Sequence, residues 1–235
     1  VSGNAVAGGA YTSSCRMQFL EPMDTATQPA PPPSIAHRVV NDEPISAEEY
    51  LERERAATQE RHEYIDGWVI RVSGASIEHN FIVSNLNREL GNQLRETDCR
   101  VTANDLRVAF PSLDKYAYPD VVAFCGEPEL EEEHLDMLYN PTLIVEVLSP
   151  TTEDYDHGKK FSRYRQIDPL QEYLLVAQDA PHVEHYVRQD DGSWRFTETD
   201  GLDTTIPLPS VESELPLAEI YLDVFENEPS GSGSE

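Results

Sequence analysis

Thr142-Leu-Ile-Val-Glu-Val-Leu148 is the stretch on which the reading of this chain turns. Seven residues, almost all aliphatic or β-branched, suit a strand better than a helix, and an unbroken apolar run reads as a strand buried on both faces. Glu146 stands inside it. Burying a lone carboxylate is expensive unless a cation or hydrogen bonds accompany it. Either this is an edge strand with Glu146 facing water, or a neighbouring element brings the countercharge. The following element has it: Lys159, Lys160, Arg163 and Arg165 place four of the chain's 17 basic residues within seven positions. On a helix running from Asp156 to about Gln166, Lys160, Arg163 and Tyr164 share a face, being three and four apart. The plainer alternative is an ordinary solvated helix face.

Asp120 repeats the pattern in Tyr118-Pro-Asp-Val-Val-Ala-Phe124, an acid at the head of an apolar strand. Alone it is weak, because aspartate after proline is common in turns. With Glu146 it offers two carboxylates on two strands that can be neighbours. Mg²⁺ or Mn²⁺ wants oxygen ligands and usually takes one or two carboxylates, and such an ion acidifies a bound water and shields a phosphodiester. A lysine beside it orients the attacking water or stabilises developing negative charge. Asp120, Glu146 and Lys160 are thus the residue types that phosphodiester hydrolysis needs.

Outward from these residues the chain reads as one α/β (α+β) domain over 44–225, between a Gly- and Pro-rich leader over 1–43 and a flexible tail over 226–235. Ser46-Ala-Glu-Glu49 is a capping box that starts a helix toward Arg61. Tyr64 to Val72 reads as two strands around an Asp66-Gly67 turn. From Ser76 to about Arg95, Ile82, Val83, Leu86, Leu90 and Leu94 fall at helical spacing and mark a core-facing helix. Arg100 to Phe110 and Tyr118 to Phe124 read as strands, as does Glu172 to Ala177. His182 to Arg188 and Ser193 to Thr199 form a hairpin through Asp190-Asp191-Gly192. The acidic stretch Glu127 to Asp136 lacks apolar periodicity and reads as a solvated loop.

The bulk properties narrow the classes. At 235 residues and 39% hydrophobic, the chain holds one sizeable core. No apolar run reaches the roughly 20 residues that span a bilayer, so no membrane association is expected. Cys15, Cys99 and Cys125 are odd in number and lack CxxC spacing, which predicts neither a disulfide framework nor a zinc site and makes the cytoplasm the default. Seventeen basic residues against 44 acidic ones give a net charge of −27. That argues against a nonspecific nucleic-acid coat, which relies on Lys and Arg releasing counterions. It leaves room for an enzyme that meets phosphate at one local site.

Pro119-Asp120, then Val145-Glu146-Val147-Leu148-Ser149-Pro150, then Asp156, Lys160 and Tyr164 at intervals of four, together resemble the Uma-two family of PD-(D/E)XK nucleases. Glu63-Tyr-Ile-Asp66-Gly67, His79 in Gly74-Ala-Ser-Ile-Glu-His79 and Glu172-Tyr173 extend the resemblance over about 44–225. It implies a restriction-endonuclease-like core, a mixed central β-sheet flanked by helices, with an added β-hairpin region. It implies a Mg²⁺- or Mn²⁺-dependent endonuclease with Asp120 and Glu146 as metal ligands, Glu63 near the end of the first helix joining them, and Lys160 as the catalytic lysine. Position 148, where the strict superfamily motif has lysine, is Leu148, and Lys160 on the following helix takes that role. His79, Asp156 and Tyr164 are supporting residues: His79 by hydrogen bonding, Asp156 as helix cap, Tyr164 by packing or orienting Lys160. Lys159 and Arg163 would contact substrate. The expected partner is nucleic acid, DNA in preference to RNA, and a homodimer would help one compact domain grip a duplex. The competing reading is a catalytically silent nuclease-fold module for nucleic-acid binding or assembly.

Overall fold

The computed structural model describes residues 30–31, 33–72, 74–110, 115–149 and 160–225. A six-stranded sheet forms the centre, from β3 (Cys99–Ala103), β6 (Val121–Cys125), β8 (Leu143–Val147), β9 (Glu172–Val176), β10 (His182–Arg188) and β11 (Trp194–Asp200), in the order β11-β10-β9-β8-β6-β3. Only β8 and β9 run parallel, so the sheet is mixed. A five-stranded sheet leans on it, with β1 (His62–Ile65), β2 (Trp68–Arg71), β4 (Arg107–Phe110), β5 (Lys115–Ala117) and β7 (Met137–Leu138) in the order β2-β1-β5-β4-β7.

Alternation along each central strand builds two cores. Leu143, Val145, Val147, Leu174 and Val176 face helix α2 (Ile77–Gln93), whose Ile82, Val83, Leu86 and Leu90 are buried against them. That core is closed by the hairpin β12 (Thr205–Leu208) and β13 (Ser213–Pro216) and by α4 (Leu217–Ile220). Ile144, Leu148, Tyr173 and Leu175 face the other way, onto Phe110 and Tyr164, the latter in the short helix α3 (Phe161–Tyr164). Among the described residues no helix is long and apolar enough to cross a membrane.

The strands beside the site bend where the sequence suggested continuity. The expected strand from Arg100 to Phe110 is two, β3 in one sheet and β4 in the other, because Asn104 and Asp105 both take positive φ (56° and 37°). Short polar side chains tolerate that left-handed region better than others. Tyr118-Pro119-Asp120 makes the matching switch from β5 to β6. Asp120 therefore sits at the mouth of the central sheet, where its carbonyl receives the Asn104 N–H at 2.9 Å.

Other expectations are adjusted. Helix α1 (Ala47–Ala56) is capped by Ser46 Oγ on the Glu49 N–H but stops before Arg61. Its Glu54 turns inward and accepts from the His62 N–H at 3.0 Å, which swings the chain into β1. Glu63 accordingly lies in a strand, not near a helix end. The acidic stretch is tied down at its end, where Asp136 meets Arg55 at 3.2 Å and Arg107 at 3.4 Å. Cys99 and Cys125 form a disulfide across the β3–β6 register, contrary to expectation. Spacing along the chain carried no sign of it, since strand pairing brings the two together.

Candidate active site

Glu146 lies at the C-terminal end of β8, on the face of the sheet turned toward α3, and is 3% exposed. Three elements meet its carboxylate. Lys160, with helical backbone angles just ahead of Phe161, puts Nζ 2.9 Å from Glu146 Oε1. Tyr164, one turn on, donates its hydroxyl to the same oxygen at 2.8 Å. Glu63 enters from β1, with Oε1 3.7 Å from Lys160 Nζ. The lysine stands between two buried glutamates and compensates both, which resolves the sequence puzzle in favour of the partnered alternative. Burial first, then the Glu146 charge, pushes the Tyr164 phenol well above its ordinary range, so it remains a proton donor at neutral pH.

Asp120 approaches from the neighbouring strand. Val121 pairs with Val145, and one further step of that antiparallel register sets Asp120 opposite Glu146. Its Oδ2 accepts the Val147 N–H at 2.8 Å and lies 3.3 Å from His79 Nε2, near the start of α2. His79 Nδ1 is buried and has no hydrogen-bond partner among the described residues. Arg163 lines a cleft with Lys160 and Glu63. The structure thus brings together Glu63, Glu146, Lys160 and Tyr164, and links His79 to Asp120 one strand away. Asp156 and Lys159 lie outside the described residues.

The donors suit a hard divalent cation. Asp120, Glu146 and Glu63 offer carboxylate oxygens, the ligand class of Mg²⁺ and Mn²⁺. The three places among the described residues where potential ligand atoms crowd within 4.8 Å of one another are elsewhere: Asp98 with Cys99 and Cys125, Glu131 with Glu133 and His134, and His182 with Glu184 and Glu198.

Sequence reasoning passed over Lys115, and it quoted Glu172 in the resemblance without giving it a role. Lys115 joins Lys160 and Arg163 in the same cleft, and nothing in Asp114-Lys115-Tyr116 announces it. Glu172, fully buried in β9, accepts from Ser210 Oγ at 2.6 Å and contacts His185 Nε2 at 3.1 Å. Its signal was available, an acid opening the apolar run Tyr-Leu-Leu-Val, the same kind that singled out Glu146.

Comparison with known proteins agrees with this architecture. Residues 47–218 match the model of the Uma2 family, described as "Putative restriction endonuclease". Two uncharacterised proteins of Synechocystis sp. are similar. One, sll1609, is 39% identical over 157 residues, spanning 67% of this chain and 88% of the relative. The other, slr1290, is 37% identical over 150 residues, 64% of this chain and 77% of the relative. A crystal structure from Anabaena variabilis, titled as a putative nuclease belonging to DUF820, superposes with a TM-score of 0.65 at 22% identity. It covers 77% of this chain and all of its own, a likeness of fold.

Proposed function

Since this chain belongs to the Uma2 family of restriction-endonuclease-like nucleases, we propose that it hydrolyses nucleic-acid phosphodiester bonds with the help of Mg²⁺ or Mn²⁺. The observation that carries the proposal is the buried Glu146–Lys160 pair at 2.9 Å with Tyr164 on the same carboxylate. A glutamate, lysine and tyrosine held inside an apolar strand end are costly to maintain for stability alone, since apolar residues of similar volume often serve as well or better.

Asp120, Glu146 and Glu63 would hold the ion, which when bound supplies an acidified water and shields the phosphate charge. The remaining work falls to the chain. Tyr164 fixes one oxygen of Glu146 and thereby its orientation. His79 and the Val147 N–H hold Asp120 at the strand mouth. Lys160 places a positive charge where negative charge develops as water oxygen bonds to phosphorus and the P–O ester bond breaks, giving a phosphomonoester and an alcohol. Arg163, with Lys159, would contact the strand. DNA is the substrate we favour over RNA, and two copies would give a duplex more surface than one. We place the protein in the cytoplasm with its substrate, although the Cys99–Cys125 disulfide pulls toward an oxidising compartment.

The second reading, a nuclease fold kept for binding or assembly without cleavage, draws on the net charge of −27, which opposes capture of a polyanion. One experiment separates the two. Purified protein is incubated with supercoiled plasmid, single-stranded DNA and RNA, with Mg²⁺ or Mn²⁺, beside Asp120→Ala and Lys160→Ala. Cleavage lost in both variants supports the assignment. Cleavage indifferent to them removes it, and metal-independent binding without cleavage by any form favours the silent module.

A further inference from the structure

Phe196, in the edge strand β11, is left 47% exposed by the fold. A single exposed aromatic is ordinary on a protein surface. This one is the open end of a line of rings. Its centroid lies 4.9 Å from that of Tyr186, Tyr186 lies 4.2 Å from Phe161, and Trp194 stands edge-on to Phe161 at 5.4 Å. Phe161 opens α3 directly after Lys160, so the line begins beside the candidate active site. Strand register keeps it on the same side of the sheet. Glu146, Leu175, Glu184 and Glu198 form one cross-strand row on the α3 face, and Tyr186 and Phe196 stand two residues along from the last two. Three strand spacings, about 14 Å, separate β8 from β11.

Carboxylates flank the open ring. Glu198 follows Phe196 by two residues on the same face, directly opposite Glu184. An oxygen of each, together with a ring nitrogen of His182, lies within 4.8 Å of the others. Like charges opposed across two strands are unfavourable unless a donor answers them. Glu184 is buried and receives the Tyr186 hydroxyl at 2.8 Å. Glu198 is exposed and has no hydrogen bond or ion pair among the described residues. An open acceptor beside an exposed ring suits a flat ligand with N–H donors on its edge.

We propose that Phe196, backed by Tyr186 and Phe161, stacks an unpaired guanine of the DNA strand, and that Glu198 accepts hydrogen bonds from the edge of that base. The proposal rests on the nuclease reading for its ligand. Stacking suits a chain of net charge −27, because it draws on the π face of a base and not on its phosphate. An ionised carboxylate is an acceptor only, and among the four bases guanine alone presents two adjacent donors, N1–H and N2–H, on its pairing edge. An intact duplex hides that edge, so the site favours a strand that is unpaired there.

The test is the binding of fluorescein-labelled DNA strands of roughly ten nucleotides to the full chain, within the range of single-strand site sizes. Anisotropy is read over a range of salt in EDTA, which keeps metal off the carboxylates. One strand is thymine throughout, a second carries a central guanine, and the third arm is the second strand annealed to its complement. Wild type should bind the guanine strand about 10-fold more tightly than the thymine strand, with the duplex weakest. Phe196→Ala should weaken both single strands about 10-fold, in the range of one lost stack. Its slope of log K against log salt should match wild type, since no phosphate contact is lost. Phe196→Trp should bind at least as tightly as wild type, and Glu198→Gln should lose most of the preference for guanine. A thermal melt checks the fold of each variant, and Phe196→Leu replaces Phe196→Ala should the latter not fold. Absence of wild-type binding, guanine and thymine strands bound alike, or a folded Phe196→Ala protein that binds like wild type overturns the proposal. A Phe196→Trp protein as weak as Phe196→Ala overturns it too. The nuclease reading is judged separately, by metal-dependent plasmid cleavage and its loss in Lys160→Ala.

Discussion

Glu146 and Glu172 are two buried glutamates on adjacent parallel strands, and they lead opposite lives. Glu146 ends β8 on the α3 side, beside a cleft, and its partners are the Lys160 ammonium and the Tyr164 hydroxyl. Glu172 begins β9 and points to the α2 side of the sheet, and its partners are Ser210, through both Oγ and N–H, and His185. One acid is compensated by a long side chain from an element that reaches it at the strand end. The other is enclosed between two strands and the turn before β13. Burial of an acid in an apolar strand therefore marks a place where something must answer it, and the nature and accessibility of the answer separate a site from a strut.

The largest expected effect falls on activity at Glu146. Glu146→Gln should cut cleavage by roughly 10²–10³-fold, the range for losing one well-placed electrostatic group. The amide still accepts from Tyr164 and Glu63 still faces the Lys160 ammonium at 3.7 Å, so the protein should stay folded with a lowered melting temperature. Cleavage per folded molecule is the quantity to compare. Next comes Glu172→Leu, which strands Ser210 and His185 at roughly 1–3 kcal/mol for each unsatisfied buried group. Urea unfolding should register that loss, while cleavage per folded molecule stays within about 2-fold. If Glu172→Leu abolishes cleavage without destabilising the fold, the division between the two acids is wrong. Tyr164→Phe should be intermediate, with a stability loss of about 1.5–3 kcal/mol for a hydrogen bond to a charged group and a cleavage deficit smaller than that of Glu146→Gln.

Much of this was legible in the sequence, for definite reasons. The β8 run and the helical spacing of Ile82, Val83, Leu86 and Leu90 are periodic signals that burial enforces, and both elements stand as read. Glu146 and Lys160 could be matched because an acid stranded in an apolar strand and a basic cluster after it each need the other. What failed depended on pairing in space. The Asn104–Asp105 bend divides one apparent strand between two sheets. The Cys99–Cys125 link depends on the β3–β6 register, and Lys115 reaches the cleft only because β5 packs against β1. The hairpin of β12 and β13 was missed because Pro207 and Pro216 weaken a strand reading, although Thr205–Leu208 alternates exposed and buried as a half-buried strand should.

Asp136 sets the lower bound of the comparison, an acid neither enclosed nor beside the cleft. Burial resists its ionisation, but the Arg55 and Arg107 guanidiniums outweigh that and hold its carboxyl below the ordinary aspartate value. A depressed pKa contributes stability that is present above the unfolded-state value, near 3.9, and is lost as pH falls through the folded-state value. The side chain is 32% exposed, so solvent screening keeps the contribution to about 0.5–1 kcal/mol. Asp136→Asn should lower the melting temperature slightly at neutral pH, and the gap from wild type should close as pH is taken below about 3.9 toward 2. A gap that widens on acidification would mean that Asp136 is protonated in the native state. The two guanidiniums would then not govern its charge, and exposure would no longer sort the three.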